Sequence, residues 1–448
     1  MNVKWYRFSL VSAALALVAG ACAPAATPVV VENTVEVPVT QIVEVPVEVT
    51  APPDPTAAPE PVTLTYFTFS AAPDHLDHLD AMITAFEATH PNVTIEVETA
   101  PFNEYFTKLQ TLIAGGTAPD IFELNYENFV SYASKGVLLD LSSQSAGDAS
   151  FAADVYYPRA YDAFSLNGMQ LGLPATFSTV VMFYNKSLFD QAGLDYPTSD
   201  WTWADAVAAG QQINDPAAGV YGLYSPTQFW EFYKKAAQND CEFFNADKTE
   251  ATINSPQCVE ALQTMVNFVQ TDKVMPSDAD MGGVSDGDLF KSGKLGMIVT
   301  GIWMFSAFED AGFEWDIVVE PGLKNQATHF FANGVSVFAA TQHPQEAWEW
   351  AKFFTSSPEA ATIRVEAGWE LPAVSDTAVF DSYLQQTPPA NRQAVLDSLN
   401  FAIVPPVIER QSEMQDAVNK LLDQVKLGQL TPQEALDQAK LEIEALLK

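Results

Sequence analysis

Positive charge is what this 448-residue sequence has least of: lysine and arginine together number 21 against 57 acidic residues, a formal charge of -36. A surface of that sign repels nucleic acid and anionic headgroups, so neither is expected as a direct partner. Cysteine is nearly absent, with three in the chain, each standing alone, so the spacing of a zinc site does not occur. There is no H-E-x-x-H or Walker pattern, which removes the motif-bearing zinc-peptidase and P-loop readings. Beyond the N-terminus no apolar run approaches the roughly 18 residues of a membrane-spanning helix. The chain is therefore not expected to span a membrane.

What is present is apolar residue in quantity, 48% of the chain with 12% aromatic, enough for a large core in two or three domains. The first residues carry the sharpest local signal. Lys4 and Arg7 precede an apolar run from Phe8 to Ala21, and the small residues Ala19, Gly20 and Ala21 lead into Cys22. This is the layout of a secretory signal over residues 1–21 ending in a lipobox, and it resembles bacterial lipoproteins whose cysteine is acylated after cleavage. Ala19 departs from the commoner Leu or Val of that pattern. Residues 22–61 follow as a Pro/Val-rich tether: nine prolines and no glycine lie in 23–61, and Val-Glu-Val-Pro-Val occurs at 35–39 and again at 43–47. Such a segment builds no core, and as extended chain it would reach on the order of 100 Å. In an oxidising compartment Cys241 and Cys258, seventeen residues apart across a turn-rich stretch, are expected to form a disulfide.

The body opens with a β-rich run from Val62 to Phe69, then a helix on Leu79, Met82, Ile83 and Phe86, then a strand on Val93, Ile95 and Val97. A helix with Phe106, Leu109, Leu112 and Ile113 breaks at Gly115-Gly116 and returns to a strand at Asp120–Leu124. Strand alternating with helix predicts an α/β protein with parallel sheet. Further helix starts are marked at Thr202-x-x-Asp205, Ser255-Pro256, Ser357-Pro358 and Thr431-Pro432-x-Glu434, where a side-chain oxygen can cap the first turn. The last helix is expected to bury Leu436, Ala439, Ile443 and Leu447.

Four stretches in this order resemble the extracellular solute-binding proteins of ABC importers, in the sugar-binding family 1 that includes maltodextrin-binding protein. They are Phe86-Glu87 with His90-Pro91-Asn92-Val93 and Ala114 to Asp120; Phe129 to Leu139; Phe183-Tyr184-Asn185-Lys186 on to Trp201-Thr202-Trp203; and Phe290 to Met297 followed by Gly301-Ile302-Trp303. The likeness runs over about residues 62–448. It implies a periplasmic-binding-protein-like type II fold, two Rossmann-like lobes joined by hinge strands around a ligand cleft. The expected division is 62–176 with 334–380 for the first lobe and 177–333 with 381–448 for the second. Crossings are expected near Pro174–Thr179, Phe331–Val335 and Phe380. It further implies a monomer outside the cytoplasm, anchored to the membrane by lipid alone, using no cofactor and handing a small carbohydrate to permease subunits.

Sugar recognition takes flat apolar faces and planar polar groups, and open α/β sheets place ligands beyond the carboxyl ends of strands. In the first lobe this selects Phe69 and Ser70, then Asn125, Tyr126 and Glu127. At the first crossing the resemblance implies Phe177 and Ser178 as contacts, and in the second lobe the aromatic and amide cluster Gln228, Phe229 and Trp230 is selected. The resemblance adds Trp303 as a stacking surface, and Trp369 with Glu370 as a cleft-lining turn. His75 and His78 share a helix face with Asp74 and Asp80 nearby, but acids in a first turn are ordinary dipole partners, and no metal is expected. The acidic run Asp278–Asp288 lacks the ordered spacing of a calcium loop and reads as solvated. Trp348 is expected to pack an amphipathic helix. The competing classes are a non-sugar solute such as a polyol or glycerol-phosphate compound, a glycan-acting enzyme using Glu127 and Glu370, and a stalked adhesin.

Overall fold

The computed structural model describes residues 60–448 with the exception of Trp369. The signal, the tether, Cys22 and Trp369 thus lie outside the described residues. The strands in chain order are β1 (Val62–Thr68), β2 (Val93–Thr99), β3 (Ile121–Asn125), β4 (Ser165–Leu166), β5 (Met169–Gln170), β6 (Leu173–Asn185), β7 (Tyr221–Tyr224), β8 (Leu295–Gly301), β9 (Trp315–Val319), β10 (Thr328–Val337), β11 (Leu371–Pro372) and β12 (Ala402–Ile403). The main path runs β2-β1-β3-β10-β6-β8-β7, with β9 and β11 also paired to β6 and β12 to β10.

β1, β2 and β3 are parallel, linked by the helices Pro73–Thr89 and Phe102–Gly115, as the alternating pattern predicts. Val93 and Ile95 turn inward, but Val97 does not and is 37% exposed. The reason is position: β2 is the edge of the sheet, so its far end has little to pack against.

β6 organises the rest. All thirteen of its residues are buried. Its first half pairs antiparallel with β10, from Leu173↔Val335 to Thr179↔Phe330. Its second half, Val180 to Asn185, lies between β8 and β9. One strand therefore belongs to two sheets, and the change of partners falls between Thr179 and Val180. β10 behaves similarly, meeting β12 at Thr328 and His329, β6 from Phe330, and β3 from Asn333. A register shift at Asn333/Gly334 brings the backbone close to Phe164, where a Cβ on Gly334 would sit 2.5 Å from the ring. Phe380 lies in a 3-10 turn, edge-on to Phe177.

Three cores result. One gathers Tyr66, Phe86, Trp348 and Trp350 beneath the first sheet, the tryptophans coming from the helix Pro344–Ser356. A second gathers Phe229, Phe232, Phe243, Leu421, Leu436 and Ile443. The third is continuous from Phe122 and Phe129 through Phe177 to Phe183, Phe308 and Trp315, joining the two sheets. Cys241 and Cys258 stand bonded within the second core, with Cα atoms 5.1 Å apart. Thr202 and Thr431 form full capping boxes and Ser357 accepts from Ala360. Ser255 holds its N-cap position with Pro256 following, yet its side chain makes no cap bond. Leu436, Ala439 and Ile443 are buried, whereas Leu447 falls past the helix end and is half-buried. The run 278–288 forms two short turns of helix capped by Ser277 and Ser285.

Candidate functional site

Where β8 ends, the chain turns through Ile302–Met304 and presents Trp303. The indole lies against the α-carbon of Gly301, and any Cβ there would collide with the ring. Trp303 meets Phe331 edge-on at 5.2 Å between ring centroids, and Trp230 meets the same phenylalanine at 5.9 Å. All three are half-buried, and Phe331 is the one residue of β10 that is not buried. Ser178 lies directly across the β6–β10 ladder from it. Two tryptophans and a phenylalanine from three elements thus form a partly open aromatic surface. Rings of this kind offer flat faces to a sugar.

Beside this surface His329 is buried, stacked on Phe331 and with Trp230 also against it. Its Nδ1 is hydrogen-bonded to the Tyr233 hydroxyl, and its Nε2 lies 3.1 Å from Glu127 Oε1. Burial pushes the Glu127 carboxyl up to about 8, and its Oε2 is buried without a hydrogen-bond partner. Asn125, at the end of β3, accepts from Asn128 and so caps the helix Tyr126–Ala133 that carries Glu127. Tyr126 is half-buried and keeps its proton well beyond neutral pH, mainly because of that burial.

A second group gathers at the ends of β1 and β3. Ser70, Thr68, Glu123, Arg364 and Glu370 line one small cavity. Glu123 Oε2 accepts from Thr68 Oγ1 at 2.5 Å, Asn333 Nδ2 donates to Glu370 Oε1 at 2.9 Å, and Arg364 Nη1 lies 3.9 Å from Glu370 Oε2. Burial and the nearby Glu370 together push Glu123 up to about 8. Phe69 is half-buried and edge-on to Phe102 and Tyr105.

Two expected ligand residues are placed elsewhere. Phe177 is packed against Phe330, Tyr157 and Phe380, and Phe229 is buried in the second core against Tyr233 and Phe243. Neither has a free face. Gln228 is exposed at the N-cap of the helix Phe229–Gln238 without capping it. His329 and Phe331 are the residues that sequence reasoning missed. The available signal was a tight aromatic cluster, His329-Phe330-Phe331, at an expected crossing. Among the described residues no group of three or more His, Cys, Asp or Glu is arranged to hold a metal, and no helix is long and apolar enough to cross a membrane.

The model of the bacterial extracellular solute-binding protein family matches residues 72–361. The chain belongs to that family. An ABC substrate-binding protein of Listeria monocytogenes, solved in complex with cycloalternan, is 45% identical, with a TM-score of 0.84 covering 86% of this chain and 99% of that one. The cyclic alpha-maltosyl-1,6-maltose binding protein of Arthrobacter globiformis is 25% identical, with a TM-score of 0.70 over 87% and 99% of the two chains. The galactooligosaccharide-binding protein of Bacillus subtilis is 24% identical over 365 residues, 80% of this chain and 83% of that protein. The two-lobed α/β architecture of this solute-binding protein is that of its relatives, which are substrate-binding proteins rather than enzymes.

Proposed function

We propose that this solute-binding protein captures an oligosaccharide in the cleft between its lobes and delivers it to the permease of an ABC importer. It would work outside the cytoplasm as a monomer, tethered through an acylated Cys22. The observation that carries the reading is the 45%-identical relative holding cycloalternan, which makes that compound the first candidate ligand. The aromatic surface of Trp230, Phe331 and Trp303 agrees with it, since stacked rings take sugar faces while carboxylates and amides take hydroxyls. The lobes would divide where β6 changes partners, close to the sequence-based boundary at 176/177. Asn125, Tyr126, Glu127, Phe69, Ser70 and Glu370 would serve the first lobe's side, and Ser178 the floor.

Thermal unfolding of the purified protein tests this against cycloalternan, linear oligosaccharides, polyols and glycerol-phosphate compounds. A ligand that binds only the folded state raises its stability by RT ln(1 + [L]/Kd), about 2.7 kcal/mol at a hundredfold excess over Kd. Saccharides should raise Tm. Stabilisation by a polyol or phosphate compound and by no saccharide would overturn the reading.

A further inference from the structure

The imidazole of His329 touches both halves of the proposed site. It is wholly buried, with its ring against both Phe331 and Trp230, one nitrogen bonded to Tyr233 and the other to Glu127. Tyr233 is on the helix that begins with Phe229 and Trp230, and Glu127 is on the helix after β3. We infer that His329 is a positioning residue of the ligand site, fixing the Glu127 carboxyl and, through Tyr233, the helix that carries Trp230. The inference rests on the carbohydrate-binding reading above and assigns to that site a residue that need not meet the ligand.

Proton positions follow from the environment of each group. Burial, with Lys234 nearby, keeps His329 neutral, so the ring has one N–H and one bare nitrogen. Tyr233 is held far above its ordinary range by burial and by Glu127, Glu231 and Glu320, so its hydroxyl keeps its proton and donates to Nδ1. The ring proton is then on Nε2, pointing at Glu127 Oε1. This leaves Oε2, buried and unbonded, as the atom that meets a ligand hydroxyl once the cleft opens to one, donating to it below the Glu127 midpoint and accepting from it above. The other ionisable groups around the relay are Tyr126 on Glu127's own helix, Glu231, Lys234 and Lys235 on the helix of Tyr233, and Glu320 after β9. The last four satisfy one another.

Infrared difference spectra of ligand-free protein, with Glu127→Gln as the reference, isolate the Glu127 carboxyl and give its titration midpoint. The wild-type midpoint should lie above the ordinary carboxylate range. Tyr233→Phe and His329→Phe should each raise it by about half a pH unit or more, because the ionised form loses its donor or the lock on that donor's tautomer. His329→Gln, whose amide N–H can reach the same oxygen, should bring it back towards wild type. Saccharide affinity should fall several-fold in Tyr233→Phe and recover in His329→Gln. If His329→Phe does not fold, Tyr233→Phe, which lacks one oxygen, serves alone. Midpoints that agree across wild type and variants, in a protein that binds saccharide, overturn the role of His329 and leave the function standing. A protein that binds no saccharide overturns both.

Discussion

The two sides of the molecule bury charge in opposite ways. Around the helix Phe229–Gln238, Glu231, Lys234, Lys235 and Glu320 are all buried, two of each sign. Lys234 Nζ is 2.8 Å from both Glu231 Oε1 and Glu320 Oε2, and Lys235 Nζ is 2.9 Å from Glu320 Oε1 and lies over the Trp203 ring. Burial alone would push Glu231 up, but the two lysines outweigh it and hold the carboxyl below its ordinary range. Around the ends of β1 and β3, Glu123 and Glu370 share one cation, Arg364, at 3.9 Å from Glu370 alone. That set does not balance as ions, and Glu123 resolves the excess by taking a proton, its midpoint raised to about 8. The contrast teaches that burial does not by itself dictate neutralisation. A buried carboxyl keeps its charge when enough cations are within contact distance, and otherwise protonates.

The most severe way to break this comparison is to unbalance the balanced side. Glu320→Ala leaves two buried ammonium groups with only Glu231 between them and should cost about 3–5 kcal/mol in denaturant unfolding. A loss below about 1 kcal/mol would mean that water already reaches the cluster. Next comes Trp303→Ala, which touches neither cluster and asks whether the aromatic surface is site or core. Saccharide affinity should fall roughly 5- to 150-fold by calorimetry, the loss of a stacking face of about 1–3 kcal/mol, with ligand-free unfolding little changed. Unchanged affinity beside a large loss of stability would return Trp303 to the core.

A smaller effect tests the unbalanced side. Between the unfolded value near 4.5 and the folded value of about 8, folded Glu123 holds a proton that the unfolded chain has released. Its contribution therefore declines as pH rises through that window and has been lost by the time pH passes the folded midpoint. Glu123→Gln should cost no more than about 1 kcal/mol at pH 6, where the native group is already neutral. Stability curves of the two proteins should converge or cross by pH 9, and parallel curves would refute the buried proton. The smallest change concerns the partly exposed pair Lys352–Asp148, at 2.5 Å with Asp148 also accepting from Trp348 Nε1. Lys352 and its hydrogen-bonding neighbours hold Asp148 well below the carboxylate range against the upward push of what burial it has, but solvent screens the pair. Lys352→Ala should cost under about 1 kcal/mol, as exposed ion pairs do.

Period and punctuation made the first three strands and their helices legible, because a half-buried element writes its orientation into the sequence. They failed at Val97, since alternation does not say which strand will be an edge. Trp230 and Trp303 could be picked out as large aromatics at strand or helix starts. Phe229 could not be separated from Trp230 that way: the two are adjacent, but one helical step turns them about 100° apart, so one enters the core and the other the aromatic surface. Phe331 and His329 were hidden because a strand buried on both sides gives no alternation to read. Lys234-Lys235 looks like the solvated face of an amphipathic helix, and only the return of Glu320, some 85 residues on, draws both inward.

The unbroken burial of Leu173–Asn185 has a further consequence, for synthesis rather than for binding. Every strand that pairs with β6 follows it in the chain, the nearest in sequence being β8 at Leu295–Gly301. A nascent chain would therefore carry an uncharged thirteen-residue strand, rich in β-branched and aromatic residues from Thr176 to Tyr184, for more than a hundred residues before a partner exists. At about 5–20 residues per second that wait is on the order of ten seconds. Segments of this kind are prone to self-association when left uncovered. The strand that unites the two sheets in the finished molecule is thus the one most in need of a holdase while the chain is incomplete.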